Sequence, residues 1–344
     1  MGLALRKNSG KILEKLGMKP VGVKIVLTFR NVFRGCLDFA RTVYIPMQIK
    51  RRTRDGVLAI NLDSDWLGLG ARIVATLELL MHAEENGLVL WIKYGYNNRK
   101  DDHNYFEDLF KWKPWNEKID VKNPNLIFTH IRSIDELKLK KDYNRLLSSG
   151  FANQLFERHL VIKDNILEEV NKFSNLHFKD FRILGLHYRG TDKVGEAPKV
   201  ELGFIYDLIL ELIDSAEIKF DKLFISSDES SCIDFFKQKK LPLEIVYRED
   251  IYRSKDGAQF HRNFENNMSI VNHEALVNCL LLAEAALLIK TASILSDCCK
   301  VFNPELSMII LNEPHSSNLT WWPARELNQK YLYKPSNALS KILH

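Results

Sequence analysis

The sequence predicts an α/β protein with two Rossmann-like domains, each a parallel sheet covered by helices on both faces. Three observations support this fold class. The length of 344 residues fits two domains. Short apolar runs typical of buried strands alternate with segments of helical periodicity. The alternation starts again after a polar stretch near residues 173–181, which is the expected linker. Ligands of such sheets bind at the carboxyl ends of the strands, so the residues after each strand are the functional candidates.

The first alternating block covers residues 55–178. Its predicted strands are residues 57–62, 88–92 and 125–129, and its predicted helices are 71–85 and a periodic run over 152–172. Residues 95–120 are polar and aromatic, and we expect a loop or short helices there. We predict that this block forms the N-terminal domain.

The second block covers residues 179–312. Its predicted strands are residues 183–188, 223–227, 243–247, 287–291 and 308–311, and its predicted helices are 203–216, 231–239 and 274–286, with a polar loop over 251–267. Residues 313–344 are expected to form a C-terminal segment that packs back on the N-terminal domain.

The positive charge is concentrated at the start of the chain. Residues 1–54 hold 13 lysines and arginines and two acids, a net charge of +11, whereas the whole chain has +5. Apolar residues are interleaved with these charges, which is typical of a segment that lies on an anionic membrane surface. A solvated arm is the alternative, and nucleic-acid binding is the least favoured interpretation. No apolar run is long enough to predict a membrane span.

Cysteine usage indicates a reducing compartment. The five cysteines are odd in number and form no C-x-x-C pair, so neither a disulfide framework nor a structural zinc site is predicted. We expect a cytoplasmic protein, peripheral on the inner face of the membrane. The adjacent Cys298 and Cys299 are expected to be small buried residues.

The residues with the clearest chemistry follow the predicted strand 183–188, in the segment HYRGTDKVGEA of residues 187–197. Arg189 can bind a phosphate in a bidentate manner, and Lys193 can act as a point charge. Fixed cations stabilise a diphosphate leaving group as its bond to a sugar breaks. Glu196 is a candidate general base for an attacking hydroxyl. A structural ion pair between Asp192 and Lys193 is the alternative.

This segment resembles the signature H-V-R-R-T-D-K-V-G of core alpha-1,6-fucosyltransferases and their bacterial nodulation relatives. Three other segments resemble the family more weakly and occur along the chain in the family's order. They are Gly68-Leu69-Gly70 after a strand, the strand 224–227 that ends in Asp228-Glu229, and the strand that ends in Thr291-Ala292-Ser293. The resemblance spans residues 57–312. It implies a GT-B-like fold, in which an acceptor-side N-terminal domain and a nucleotide-sugar-binding C-terminal domain face a cleft.

The resemblance also implies roles for single residues. Arg189 would bind the diphosphate of GDP-fucose, His187 would lie against the nucleotide, and Ser293 would touch a phosphate. The remaining implied residues of the catalytic pocket are Asp192, Lys193, Asp228 and Glu229, and those of the donor site include Gly68, Gly70, Gly190, Asn278 and Thr291. The family inverts the sugar and needs no metal. No cofactor is expected besides the donor substrate.

Three departures from the family pattern bear on these roles. Gly190 stands where the family has a second arginine, so one phosphate contact is missing or comes from elsewhere. The spacing from Lys193 to Glu196 is one residue shorter, which weakens the case for Glu196 as the base. Asn278 stands where an aspartate would recognise guanine, so the diphosphate is better supported than the base.

Several further residues have two interpretations. Gly68 and Gly70 could contact the donor or could form an ordinary strand-to-helix turn, and Arg72 could face the acceptor or donor across the cleft. His261 is a candidate for the cleft, whereas Trp321 and Trp322 are better explained by packing. We predict an inverting transferase that moves a deoxyhexose, with fucose the first candidate, from GDP to a glycan or glycolipid. Alternatives are another nucleotide sugar or an inactive nucleotide-sugar-binding protein.

Overall fold

The computed structural model of the protein describes residues 56–65, 67–96, 102–113, 128–190, 197–214, 219–251, 253–254 and 267–315. Two parallel sheets and a two-stranded ribbon, with helices packed around them, form these parts of the chain. The predicted α/β fold class is confirmed. Some sequence-based expectations lie outside the described residues: the basic segment 1–54, Asp192, Lys193, Glu196, His261, Trp321 and Trp322.

The first sheet has three parallel strands. In chain order its part of the molecule contains β1 (Val57–Asp63), α1 (Leu69–Glu85), β2 (Val89–Gly95), β3 (Phe110–Trp112) and β4 (Thr129–Ile131). The strand order is β2-β1-β4, and β1 pairs with both neighbours in parallel. Residues 58–62 of β1, which alternate between its two faces, are all buried, as expected for a strand covered on both faces.

A mainly helical segment connects the two sheets. It contains a 3₁₀ helix (Ile134–Leu137), α2 (Tyr143–Leu146), α3 (Ser149–His159), β5 (Leu160–Ile162) and α4 (Asp164–His177). The helix predicted over 152–172 is therefore two helices, because Leu160-Val161-Ile162 is an apolar, β-branched run that pairs antiparallel with β3. The expected linker near 173–181 begins as the last turn of α4, and Phe178 after it is buried.

The second sheet has five parallel strands. Its elements are β6 (Ile183–Tyr188), α5 (Leu202–Asp214), β7 (Lys222–Ser227), α6 (Ser230–Gln238), β8 (Glu244–Val246), α7 (Met268–Ala283), β9 (Leu287–Lys290), α8 (Ile294–Asp297), α9 (Cys299–Phe302) and β10 (Ser307–Ile310). The strand order is β10-β9-β6-β7-β8. The chain builds outward from β6 in one direction and then returns to its other side with β9. The boundary between β6 and β9 is therefore a topological switch point, where α/β sheets bind ligands.

The carboxyl ends of the two sheets lie near each other. The first turn of α1, which follows β1, packs against the start of α8, which follows β9. A Cβ atom on Gly70 would lie 2.6 Å from the backbone nitrogen of Leu295, so only glycine permits this approach. Tyr96, just after β2, also exchanges hydrogen bonds of 3.1–3.2 Å with Asn272 of α7. Residues that follow β1 and β2 thus contact the helices α8 and α7 of the second sheet.

No helix in the described part of the chain is long and apolar enough to cross a membrane. The cysteine prediction is confirmed for Cys298 and Cys299, which are both fully buried. Cys298 contacts the carbonyl oxygen of Gly70, and Cys299 lies beside Cys279 on α7. These thiols fill the apolar junction between the sheets.

Candidate functional site

Backbone hydrogen bonds hold the ends of β6 and β9 together at the switch point. The amide of Thr291 donates to the carbonyl of His187 at 3.0 Å. In return, the amide of Arg189 donates to the hydroxyl oxygen of Thr291 at 3.0 Å. The chain leaves β6 with Arg189 fixed against β9, so the position of this residue is set by the sheet rather than by a free loop.

Asp228, at the end of β7, contacts Arg189 from the opposite side. Its Oδ2 lies 3.6 Å from Nε of Arg189, and its Oδ1 lies 3.4 Å from the amide of Gly190. The Arg189 side chain remains 19% exposed. A partly exposed guanidinium can bind a planar anion. The structure therefore brings together Arg189, Gly190, Asp228 and Thr291, as the sequence predicts.

Gly190 lies under the carboxylate of the neighbouring Glu229. A Cβ atom on Gly190 would be 2.5 Å from Oε1 of Glu229. The Glu229 carboxylate therefore occupies the space into which a side chain at position 190 would extend. This contact explains how the chain accommodates glycine where the family has a second arginine: an acidic side chain fills the place of the missing basic one.

His187 is a buried, neutral histidine. Burial is the main cause that lowers its pKa to about 3, and the positive charges of Lys290 and Arg189 add to the effect. Its Nδ1 atom is buried and has no hydrogen-bond partner. Buried polar atoms are nearly always paired. The unpaired imidazole nitrogen of His187, two residues before Arg189, therefore indicates a place where a ligand supplies the partner.

The end of β9 contributes a buried ion pair and a second unpaired polar atom. Lys290 faces His187 across the β6–β9 ladder, and its Nζ lies 2.5 Å from Asp297 of α8, with both side chains buried. Ser293 is 5% exposed and caps no amide of α8, and its hydroxyl has no partner. Unpaired atoms of His187 and Ser293 thus lie on the two sides of the switch point.

A small cleft opens where β6 and β9 end. Asn312, just after β10, ties its walls together: its Oδ1 accepts from the amide of Ala292, and its Nδ2 donates to the carbonyl of Pro198, both at 2.7 Å. The cleft is lined by residues 188–190, 197–200, Thr291 and Asn312. Lys199, which is exposed, adds a second basic side chain to the lining beside Arg189.

Arg72 has a structural role, contrary to the suggestion that it faces the cleft. Its side chain is fully buried, and its guanidinium donates to the carbonyl oxygens of Leu62, Ser64, Leu67 and Gly95 at 2.6–3.0 Å. It also stacks at 4.3 Å on the ring of Tyr96. Arg72 therefore joins the end of β1 to the end of β2, and backbone carbonyls accept from four of its five N–H donors.

The two glycines of the Gly68-Leu69-Gly70 segment differ. Gly70 packs tightly against the backbone of α8, whereas a Cβ on Gly68 would meet no atom within 4 Å. Gly68 is exposed at the N-cap of the 17-residue helix α1. Packing explains Gly70, and the donor-site role expected for both glycines stays a prediction.

Asn278 lies deep along a helix rather than at a strand end. It is ten residues beyond the start of α7, which at about 1.5 Å per residue is about 15 Å along the helix axis. Its Oδ1 is buried and unpaired, but the helix runs from the carboxyl edge of the sheet towards the amino edge. Arg189 and Asn278 therefore lie at different levels, and recognition of guanine by Asn278 stays a prediction.

The described residues contain no group of three or more histidine, cysteine, aspartate or glutamate side chains that could hold a metal ion. Sequence analysis did not identify Lys290, Asn312 and Lys199 as site residues. Lys290 lies within the predicted strand rather than after it. Its position opposite His187 follows from the order of the strands, which the local sequence does not give. Asn312 lies just after β10 and could have been identified as a residue at a strand end. Lys199 lies outside the strands and helices, where no periodic signal marks a side chain that faces a cleft.

Comparison with known proteins gives structural likeness without close sequence likeness. The sequence matches no protein-family model and no curated protein. Among solved structures, it is similar to the alpha-1,6-fucosyltransferase NodZ soaked with GDP-fucose, with 14% identity, 74% of this chain and 94% of that chain covered, and a TM-score of 0.48. The structure of NodZ from Bradyrhizobium gives 15% identity, coverage of 72% and 93%, and a TM-score of 0.46.

Two further similarities are to complexes with GDP. A mutant of Arabidopsis thaliana FUT1 has 13% identity, coverage of 74% of this chain and 70% of that chain, and a TM-score of 0.42. POFUT1 has 11% identity, coverage of 74% and 98%, and a TM-score of 0.44. Similarity at these scores supports no statement about substrates.

Proposed function

We propose that the protein is an inverting glycosyltransferase that moves a deoxyhexose, with fucose the first candidate, from GDP to a glycan or glycolipid. The single observation that supports this most strongly is the arrangement at the switch point. Arg189 is partly exposed there and held by Thr291 and Asp228, while His187 and Ser293 each leave a buried polar atom unpaired. An anionic ligand with additional hydrogen-bonding groups suits this combination of one cation and two unpaired atoms.

A diphosphate fits the site better than a single charged group. Arg189 can hold two phosphate oxygens, and the Ser293 hydroxyl can donate to a third. The neutral imidazole of His187 can bind a ribose or base without repelling Arg189. Lys199 is the candidate for the contact that the family's second arginine would make, because it lines the same cleft. Arg189 and Lys199 would then stabilise the charge that develops on GDP.

The acceptor hydroxyl must attack the anomeric carbon from the side opposite to GDP. By resemblance, Asp192, Lys193 and Glu196 shape this part of the pocket, and Asp228 and Glu229 stand at its edge. Asp228 already faces Arg189, so its proposed role is to orient that arginine. Glu196, whose spacing departs from the family, is a less secure candidate for the base.

Two alternatives belong to the same site. Another nucleotide sugar would use the same diphosphate contacts. Asn278, which stands where an aspartate would recognise guanine, would then accommodate a different base. An inactive nucleotide-sugar-binding protein is suggested by Gly190, with Glu229 in the space of a second arginine.

A panel of nucleotide sugars, screened by thermal unfolding, tests the donor. We expect GDP-fucose and GDP to raise the midpoint and UDP-sugars to leave it unchanged. A ligand at 100 times its dissociation constant stabilises a protein by about 2.7 kcal/mol. Release of GDP from bound GDP-fucose separates an enzyme from an inactive binding protein. A shift with UDP-sugars alone would contradict the proposed donor.

Transfer is proposed to need no metal, because Arg189 and Lys199 are available to neutralise the diphosphate. Activity in excess chelator is therefore expected to match activity without it. Loss of activity in chelator, with recovery on addition of Mn²⁺ or Mg²⁺, would show that a metal ion holds the donor.

The basic segment, residues 1–54, is proposed to bind the inner face of an anionic membrane, where a lipid-linked acceptor is found. Each lysine or arginine near such a surface contributes about 1 kcal/mol. The full-length protein should float with anionic vesicles, leave them in high salt, and stay in solution when residues 1–54 are deleted. A full-length protein that stays in solution at low salt would indicate a solvated arm and a soluble acceptor.

A further inference from the structure

A histidine, an aspartate and an asparagine meet at the carboxyl edge of the three-stranded sheet, outside the donor site. Nδ1 of His130 on β4 lies 3.4 Å from Oδ2 of Asp63 and 3.1 Å from the amide nitrogen of Asn61, both on β1. Asn61 is only 5% exposed, and its Oδ1 is buried without a partner. The His130 side chain, in contrast, is 64% exposed.

The end of β2 leaves room for this cluster. A Cβ atom on Gly95 would lie 2.7 Å from Oδ1 of Asn61 and 3.2 Å from Oδ1 of Asp63. Glycine is therefore required here by the two polar side chains of the neighbouring strand. Three strands thus contribute to one arrangement: β1 supplies the amide and carboxylate, β4 supplies the imidazole, and β2 supplies the space.

The cluster lies on the side of the sheet that meets the donor-binding sheet. β1 ends at Asp63, and seven residues later Gly70 touches the backbone of Leu295, five residues beyond the end of β9. Tyr96, the residue after Gly95, contacts Asn272 of α7. His130 therefore lies at the same carboxyl edge of the three-stranded sheet as β1 and β2, whose following residues contact α8 and α7 of the other sheet.

We infer that His130 is the general base that deprotonates the acceptor hydroxyl, with Asp63 and Asn61 as its positioning residues; this inference rests on the proposed function. A proton on Nδ1 lies towards Asp63, and a half-turn of the Asn61 amide, whose nitrogen faces Nδ1 in the structure, presents its oxygen to the same proton. The amide nitrogen then takes the buried position beside Gly95. Nε2 then has a free lone pair on the exposed side of the ring.

The step balances with groups already named. Nε2 of His130 takes the proton of the acceptor hydroxyl, the hydroxyl oxygen bonds to the anomeric carbon, and the bond from that carbon to the phosphate oxygen breaks. Its electron pair leaves with GDP. Asp63 stabilises the resulting imidazolium, which returns its proton to solvent. The other charged groups near the ring are Lys93 and Asp102, which form an ion pair with each other at the end of β2.

GDP release from GDP-fucose in water tests the inference, because water takes the place of the acceptor hydroxyl. His130→Gln should lower kcat by about 100-fold, within the usual range for a lost general base. The KM for GDP-fucose and the thermal shift by GDP should stay within twofold of the wild-type values. Asp63→Asn should lower kcat less, and the double variant should be no slower than His130→Gln alone, as expected for groups that act as a unit.

His103→Gln is the matched control. His103 is also partly exposed and also contacts an aspartate, Asp108, at 2.9 Å, so its loss should leave kcat unchanged. A His130→Gln protein with wild-type kcat would overturn the inference. So would a fall in kcat that accompanies loss of the GDP shift, because this indicates a structural role. If the wild-type protein gives no shift with GDP-fucose, the donor proposal itself fails and this inference fails with it.

Discussion

Two arginines near the ends of strands differ in how the protein uses them. Arg72, one turn into α1, is fully buried and donates to four carbonyl oxygens. Arg189, directly after β6, is partly exposed, and its Nε lies 3.6 Å from a carboxylate oxygen of Asp228. Arg72 holds two strand ends together, whereas the side chain of Arg189 reaches the surface at the switch point.

This difference shows that the residue type and its place after a strand do not define a ligand site. What distinguishes the two arginines is their burial and the atoms that surround them. A fully buried guanidinium that donates to backbone carbonyls contributes to stability, and a partly exposed guanidinium can bind an anion. Substitution at the two positions should therefore affect different measurements.

Arg72→Ala is expected to have the largest effect, and the effect is on stability. It removes a buried guanidinium and leaves four carbonyl groups without their donor. At 1–3 kcal/mol for each buried group left unpaired, we expect a loss of at least about 4 kcal/mol in the free energy of unfolding. Urea unfolding measures this loss. Arg145→Ala, which removes an exposed arginine with side-chain exposure of 78%, should cost less than about 0.5 kcal/mol.

Arg189→Ala should abolish transfer while the fold remains. We expect kcat/KM for GDP-fucose to fall by about 1,000-fold, the scale seen when a charge-stabilising donor is removed. The free energy of unfolding should change by less than about 1 kcal/mol, because the Asp228 pair is partly solvated. Arg189→Lys should also fail, since an ammonium cannot replace the planar fork. Near-normal turnover in either variant would remove the basis of the proposed function.

The same comparison shows what the sequence could and could not predict. The strands that carry the donor site were predictable because each is a short apolar run between polar segments, and Arg189 directly follows such a run. The burial of Arg72 was not predictable, because its four acceptors come from two separate parts of the chain, residues 62–67 and Gly95. The unpaired atoms of His187 and Ser293 likewise depend on which strands become neighbours. Local periodicity predicts the strands but not their order in the sheet.

The stabilities of alanine variants at Gly70 and Gly68 test which of the two glycines is required for packing. Gly70→Ala should destabilise the protein by up to about 3 kcal/mol, because the new methyl group would overlap the backbone of Leu295. Gly68→Ala adds a methyl group to open space and should change the free energy of unfolding by less than about 1 kcal/mol. Equal stabilities of the two variants in urea would contradict the close contact between α1 and α8.

His187 gives the smallest predicted change, and it appears only in acid. The pKa of this buried imidazole is lowered to about 3 in the folded protein, whereas an unfolded histidine has a pKa of about 6.5. Between these values the unfolded chain binds a proton that the folded chain does not. The free energy of unfolding therefore falls as the pH drops below 6.5, by up to about 1.4 kcal/mol per pH unit, and His187 contributes no pH dependence above that value.

Replacing the imidazole should remove this contribution. From pH 7 to pH 5, the wild-type protein should lose about 2 kcal/mol more of its unfolding free energy than His187→Gln does. His103→Gln, at an exposed site, serves as the control for the loss of a histidine as such. GDP provides a second measurement: if a ligand supplies the partner of Nδ1, His187→Gln should weaken the thermal shift by GDP even at pH 7. Identical pH profiles for His187→Gln and the wild-type protein would mean that the imidazole can be protonated in the folded state. That result would contradict the statement that His187 is buried and neutral beside Arg189.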